Sequence, residues 1–249
     1  MFNPSLEQPF QMFSLVHFIV LSFSLLLIAL LLLTRNYFKQ PRAKTIFRIS
    51  LGLSLLIVES IFVIWSTRMG GFVLKEFIPL GLCALTARLT MIALIFNLEK
   101  LSRVILPWAF VGALLSFIVV DMSYQFPHFR FIHYFFVHLG FLIGNIFFLI
   151  TNETKYSYKD VLWSSYALIG LSTAVLIYNF IFTTNHMFLN RLPDAFDFLN
   201  DSLPWYINTI GLVLIIFLLF NLFYLIYMLF IKISKIKRKK PGNILTNTI

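Results

Sequence analysis

Long apolar runs, broken by short polar and basic stretches, set the pattern of this chain. A helix crossing the hydrocarbon of a bilayer needs about 20 mostly apolar residues. Seven stretches reach that length: 13–33, 46–65, 77–98, 104–120, 131–150, 161–182 and 205–230. No intervening segment is long enough for a soluble domain. The pattern therefore predicts an all-α, polytopic membrane protein, a single seven-helix domain over 1–249 with a basic tail at 231–249. No internal repeat is visible, which weighs against an inverted-repeat transporter. The longest connection, TTNHMFLNRLPDAFDFLNDSLP, lies between the sixth and seventh spans. Its run of Pro193, Asp194, Phe196, Asp197, Phe198 and Leu199 predicts a short interfacial helix. Packing on the bundle is its expected role, ahead of a lid over an embedded site.

Composition agrees with that pattern. Of the 249 residues 59% are hydrophobic and only 12% charged, against about 25% charged in an ordinary soluble domain. The apolar excess calls for lipid as solvent, and the 30 phenylalanines suit lipid-facing helices. The net charge of +10 does not point to nucleic acid, because no motif of that class occurs and the basic residues are unevenly distributed. Arg35, Lys39, Arg42, Lys44 and Arg48 follow the first span, Lys100 and Arg103 the third, and Lys155 and Lys159 the fifth. Lys232, Lys235, Lys237, Arg238, Lys239 and Lys240 follow the seventh, making fifteen on one side. The other side holds only Arg68, Lys75, Arg130 and Arg191. Basic loops stay in the cytoplasm, so the expected location is the cell membrane, with the N-terminus outside and the C-terminus inside. The opening MFNPSLEQPFQ has no positive charge and no small-residue cleavage site, so the first span is expected to remain as a helix.

Ionisable groups within hydrocarbon are costly, about 2.5 to 3.5 kcal/mol at a helix centre, and each needs a reason. At a rise of about 1.5 Å per residue, His17 lies roughly 6 Å below the outer end of its span and Asn179 roughly 8 Å. Cys83 lies roughly 10 Å down, with Glu59 and His138 at about 12 Å. Asp121 and His133 sit near the outer surface, and Arg88 alone reaches the midplane, with Glu59 as its expected partner. Helical spacing puts Pro79, Cys83, Thr86 and Thr90 on one stripe, Tyr134, His138 and Asn145 on another, and Ser172, Asn179 and His186 on a third. Polar residues of this kind commonly just tie helices together. Their convergence at one depth favours a shared cavity in the outer half. The single cysteine excludes an internal disulfide and any cysteine-based metal cluster. As a nucleophile it would need a base at hand, and His138 matches it in depth.

Several segments resemble the YwaF-like family of bacterial membrane proteins, which is similar to vertebrate transmembrane protein 164. They are FSLVHF at 13–18, PLGLC at 79–83, FPHFRFIHYFFVH at 126–138, NHMFLNRLP at 185–193 and PWYI at 204–207, the last containing Tyr206. The resemblance covers nearly the whole chain. It implies a cysteine acyltransferase acting on phospholipids, with Cys83 as nucleophile and His138 as its histidine. Two departures from the family pattern stand out. Gly81 replaces a histidine in the motif around the cysteine, and Val119-Val120-Asp121 replaces Thr-Pro-Asp.

The expected function is a membrane-embedded, lipid-acting transacylase or thioesterase whose partners are membrane phospholipids. Asn145 or Asn179 would donate hydrogen bonds to the oxyanion, and His17, Glu59, Arg88, Asp121, His133 and Tyr206 would support the site or bind substrate. No soluble cofactor and no metal is implied. The alternatives are a small-solute binding or transport subunit, or a non-enzymatic partner in envelope assembly. A covalent acyl group on Cys83 would separate the first reading from the other two.

Overall fold

The computed structural model describes residues 2–3, 10–68, 78, 80–120, 122–151, 156–193 and 197–239. Among them every regular element is helical: α1 (Leu15–Leu33), α2 (Pro41–Arg68), α3 (Leu82–Phe96), α4 (Glu99–Ile118), α5 (Phe129–Thr151), α6 (Tyr158–Phe182), α7 (Asp197–Ser202) and α8 (Trp205–Lys239). Six helices are long and apolar enough to cross a membrane, and α3 is a shorter apolar helix of 15 residues.

The expected third span, 77–98, begins later than its apolar composition suggests. Gly81 holds an extended conformation (φ −66°, ψ 138°) and helix starts only at Leu82. Its other end is set by Asn97 in the left-handed region (φ 58°), a common stop for helices. The second span begins earlier than expected. A 3₁₀ turn, Thr34–Lys39, leads into Pro41, which suits a first helical position because its missing N–H needs no partner there. Arg42 and Lys44 are therefore on helix, with Arg48, rather than in a loop. Arg48 donates to the carbonyls of Leu94 and Ile95, the latter at 2.8 Å, and Lys44 to that of Thr151 at 3.3 Å. The C-terminal turns of α3 and α5 thus receive cations where their carbonyls lack helical donors. A short helix, α7, does occur in this connection, with Asp194 and Phe196 of the expected run outside the described residues. Before α7, Leu189 is buried against the bundle and its carbonyl accepts from Thr209 of α8.

Within the bundle α4 and α5 are central, more than half buried (56% and 61%), whereas α1, α2, α6 and α8 bury under a fifth of their apolar windows. On one side α2 and α3 pack against the central pair; α6 and α8 pack on α4, and α1 lies on α5. Close approach depends on glycine at Gly140 and Gly144. A Cβ at Gly140 would stand 2.7 Å from Leu55, and one at Gly144 2.9 Å from both Thr90 and Leu94. The bundle has two distinct ends. At the basic end Lys44 meets Glu99 (3.6 Å) and Arg103 meets Asp160 (4.0 Å). The opposite end gathers the histidines.

Candidate functional site

Two groups of polar side chains meet at that opposite end, both built on α3 and α5. In the first, Glu59 of α2 pairs with Arg88 of α3 at 3.2 Å and with His133 Nε2 of α5 at 2.9 Å. Arg130 Nη1 lies 3.2 Å from His133 Nδ1. A guanidinium can only donate, so Nδ1 accepts from Arg130 and Nε2–H donates to Glu59. The row runs Arg88–Glu59–His133–Arg130. The ring of Phe62 lies beneath it, 4.3 Å from the Arg130 guanidinium carbon and 4.4 Å from the His133 ring. Arg88 folds back one turn to donate to the Ala84 carbonyl at 3.0 Å, so its charge is level with the start of α3.

The second group contains Cys83. The residue occupies the first turn of α3, where the leading N–H groups have no acceptor within the helix. Its sulfur faces α4: Ser116 Oγ is 3.7 Å away, and a Cβ at Gly112 would stand 3.3 Å from it. The Ser116 carbonyl accepts from the Tyr134 hydroxyl at 3.0 Å. The Tyr134 carbonyl in turn accepts from His138 Nδ1–H at 2.7 Å, with the two rings 4.3 Å apart. Since Nδ1 carries the proton, Nε2 of His138 keeps its lone pair. Cys83 and His138 thus share a polar wall, linked through Ser116 and Tyr134; the sulfur's own hydrogen bond is to Ser116 rather than to the imidazole.

His17 braces this wall. Its Nδ1 accepts from the Phe13 N–H at 3.0 Å, so Nε2–H donates to the Phe117 carbonyl at 2.8 Å. Phe117 and Ser116 lie in the last turn of α4, whose carbonyls have no helical donors. His17 and Tyr134 supply them.

The two asparagines expected to serve an oxyanion are committed elsewhere. Asn145 is fully buried, with its amide donating to Thr90 Oγ1 (2.7 Å) and the Phe141 carbonyl (2.8 Å). Its oxygen accepts from Ser102 at 2.9 Å, tying α3, α4 and α5 together toward the basic end. Asn179 closes the C-terminus of α6: its amide donates to the His186 carbonyl, and its oxygen accepts from His186 N–H and Thr184 Oγ1, each at 2.9 Å. An amide sharing a helix face with the site can lie two turns away from it or be used up by a helix end. Tyr206 is exposed at the start of α8 beside Trp205, away from both groups. Asp121 lies outside the described residues.

Arg130 and Ser116 are the site residues that sequence reasoning missed. Arg130 stands three positions before His133, the spacing of helical neighbours, and Ser116 is a hydroxyl in an apolar stretch of α4. Two cavities occur elsewhere. One of about 130 Å³ lies between α6 and α8, with Ser172, Thr173 and Thr209 among apolar side chains. Another of about 10 Å³ at the basic end is lined by Ser102, Arg103, Asn145 and Tyr156. The Tyr156 hydroxyl there has no partner among the described residues, and burial pushes its phenol well above the usual range.

No curated protein and no solved structure matches the chain. A family model described as the TMEM164 family matches residues 12–239. That match runs from just before α1 to the end of α8 and takes in every residue of both polar groups, and so the chain belongs to the TMEM164 family.

Proposed function

We propose that the protein is a cysteine-dependent acyltransferase acting on membrane phospholipids, with seven spans, its histidine-bearing end outside and its C-terminus in the cytoplasm. The orientation rests on the fifteen basic residues of one side against four on the other. The observation that carries the activity is the setting of Cys83. The thiol is in the first turn of a helix, on one polar wall with a histidine whose Nε2 lone pair is unused.

In the first step the sulfur leaves Ser116 and attacks the carbonyl carbon of a phospholipid ester. Its proton passes to His138 Nε2 as the carbon–sulfur bond forms. The unpaired N–H groups at the start of α3 receive the developing oxyanion. The carbon–oxygen bond then breaks, and the lysolipid alkoxide leaves with the proton held by His138. In the second step His138 takes the proton of an acceptor hydroxyl, which attacks the thioester carbonyl; the carbon–sulfur bond breaks, and His138 returns the proton to the departing sulfur. The likeness to the YwaF-like family and to vertebrate transmembrane protein 164 supports the same chemistry.

Intact-protein mass spectrometry after incubation with phospholipid vesicles tests this directly. A hydroxylamine-labile acyl adduct is expected on the wild type and on neither Cys83→Ala nor His138→Gln. Folded wild-type protein that never acquires an adduct would refute acyl transfer and favour a solute-binding role.

A further inference from the structure

We infer that Arg88 and Arg130 form a binding site for a phosphate diester, filled by the headgroup of a phospholipid. The first polar group is unbalanced in charge. Two guanidinium cations flank one carboxylate, Glu59, and the histidine between them is held neutral, because Nδ1 accepts from Arg130 while Nε2–H donates to Glu59. Among the described residues the group carries one net positive charge inside an otherwise apolar bundle. An unbalanced cation in such surroundings is strongly disfavoured unless an anion joins it.

The unused donors point the same way. Each guanidinium has five N–H donors. Arg88 uses its group on Glu59 and the Ala84 carbonyl, and Arg130 on His133 Nδ1. Neither side chain is sealed: Arg88 is about a quarter exposed (24%), and Arg130 is half-buried. A phosphate diester offers one negative charge and two unesterified oxygens, which match the planar fork of arginine better than an uncharged ligand does.

The surroundings favour a lipid. Trp65, Tyr124 and His128 cluster beside the start of α5, with Tyr124 and His128 stacked at 4.1 Å and Trp65 edge-on to both. Aromatic side chains of this kind gather where hydrocarbon gives way to headgroups. Arg88 bonded to the Ala84 carbonyl also brings a cation level with the residue next to Cys83.

This inference rests on the lipid-acting reading of the site. It is therefore tested on full-length Cys83→Ala, which can form no thioester, so that binding and acyl transfer succeed or fail separately. The protein, in neutral detergent, is titrated with dioleoyl phosphatidylglycerol, dioleoylglycerol or sodium phosphate, with thermal stability and native mass spectrometry as readouts. Phosphatidylglycerol should be retained and raise Tm, whereas dioleoylglycerol should do neither. Inorganic phosphate should bind at least tenfold more weakly than the lipid. Arg130→Gln, which can still donate to His133 but removes the excess charge, should weaken phosphatidylglycerol binding at least tenfold. Equal binding of dioleoylglycerol, or unchanged phosphatidylglycerol affinity in Arg130→Gln, would overturn the site. Inorganic phosphate binding as tightly as the lipid would overturn the lipid as its source. Should Arg130→Gln fail to fold, the comparison of the two lipids on Cys83→Ala decides alone.

Discussion

Replacing Glu59 by glutamine removes one charge while keeping the shape of the side chain. The amide oxygen still accepts from His133 Nε2–H, so the loss falls on Arg88, whose partner oxygen lies at 3.2 Å. At an effective dielectric constant near 20 the gross attraction at that distance is about 5 kcal/mol. Breaking a buried pair from one side typically costs about 3 to 5 kcal/mol. Arg88 is 24% exposed, so screening places the expected cost near the lower end, about 3 kcal/mol. For a chain of this size that corresponds to a fall in Tm of about 6 °C or more. Thermal unfolding of the purified protein in neutral detergent at fixed pH, followed by tryptophan fluorescence, measures it. Arg88→Met alone should cost less, because Glu59 keeps its hydrogen bond from His133 with Arg130 next in the row, and Glu59→Gln with Arg88→Met should recover at least half of the Glu59→Gln loss, because the cation left facing the amide is gone and the group returns to its original net charge. Single substitutions that each shift Tm by less than about 2 °C, or effects that simply add in the double variant, would refute the pairing.

Gly144→Ala forces a Cβ to within 2.9 Å of Thr90 and Leu94 and is expected to cost about 1 to 3 kcal/mol, whereas Gly170→Ala, with nothing within 4 Å, should be neutral or stabilising. Thermal unfolding of the two variants side by side checks the contrast. Asn145→Ala removes hydrogen bonds to α3 and α4 and leaves a cavity, an expected loss of roughly 2 kcal/mol. Its folded fraction should nevertheless form the Cys83 adduct at the wild-type rate, which an oxyanion role for Asn145 would forbid. Topology reporters fused after Lys100 and after Lys232 should read cytoplasmic and one after Arg191 external; a cytoplasmic signal after Arg191 would overturn the proposed seven-span order.

Hydrophobic length made most of the bundle legible, because six of the apolar runs reappear as long helices. The ends were harder to read. Lys44 reads as a loop residue by charge, yet it sits on α2 with Arg48, and the two place their heads on the carbonyls of α5 and α3. The start of α3 depends on the backbone of Gly81, which apolar composition cannot register. In the site, Glu59 and Arg88 could be matched because opposite charges within hydrocarbon have few possible partners. Asn145 shares a face with His138 but lies seven residues further along α5, about 10 Å along the axis, and agreement of face is not agreement of place.

The two buried histidines of α5 show what only three-dimensional placement decides. Five residues apart, His133 and His138 are told apart as candidates for a general base, from sequence, by depth alone. Their neighbours fix opposite tautomers. Arg130 can only donate, so His133 Nδ1 must accept and its Nε2 must carry the proton that reaches Glu59. The Tyr134 carbonyl can only accept, so His138 Nδ1 carries the proton and Nε2 keeps its lone pair. In the proposed reaction the base is therefore His138, and His133 is a neutral spacer between a carboxylate and a guanidinium. Glutamine reproduces the spacer, with an amide donor toward Glu59 and an oxygen toward Arg130, but it cannot take a proton from a thiol. His133→Gln is accordingly expected to keep adduct formation within about threefold of the wild type, a difference of under 1 kcal/mol. His138→Gln should lower it by at least the hundredfold that general-base catalysis commonly supplies, about 10². The readout is the initial rate of hydroxylamine-labile adduct formation on folded protein of each variant. Loss of the adduct in His133→Gln with retention in His138→Gln would mean that the tautomers have been read the wrong way round.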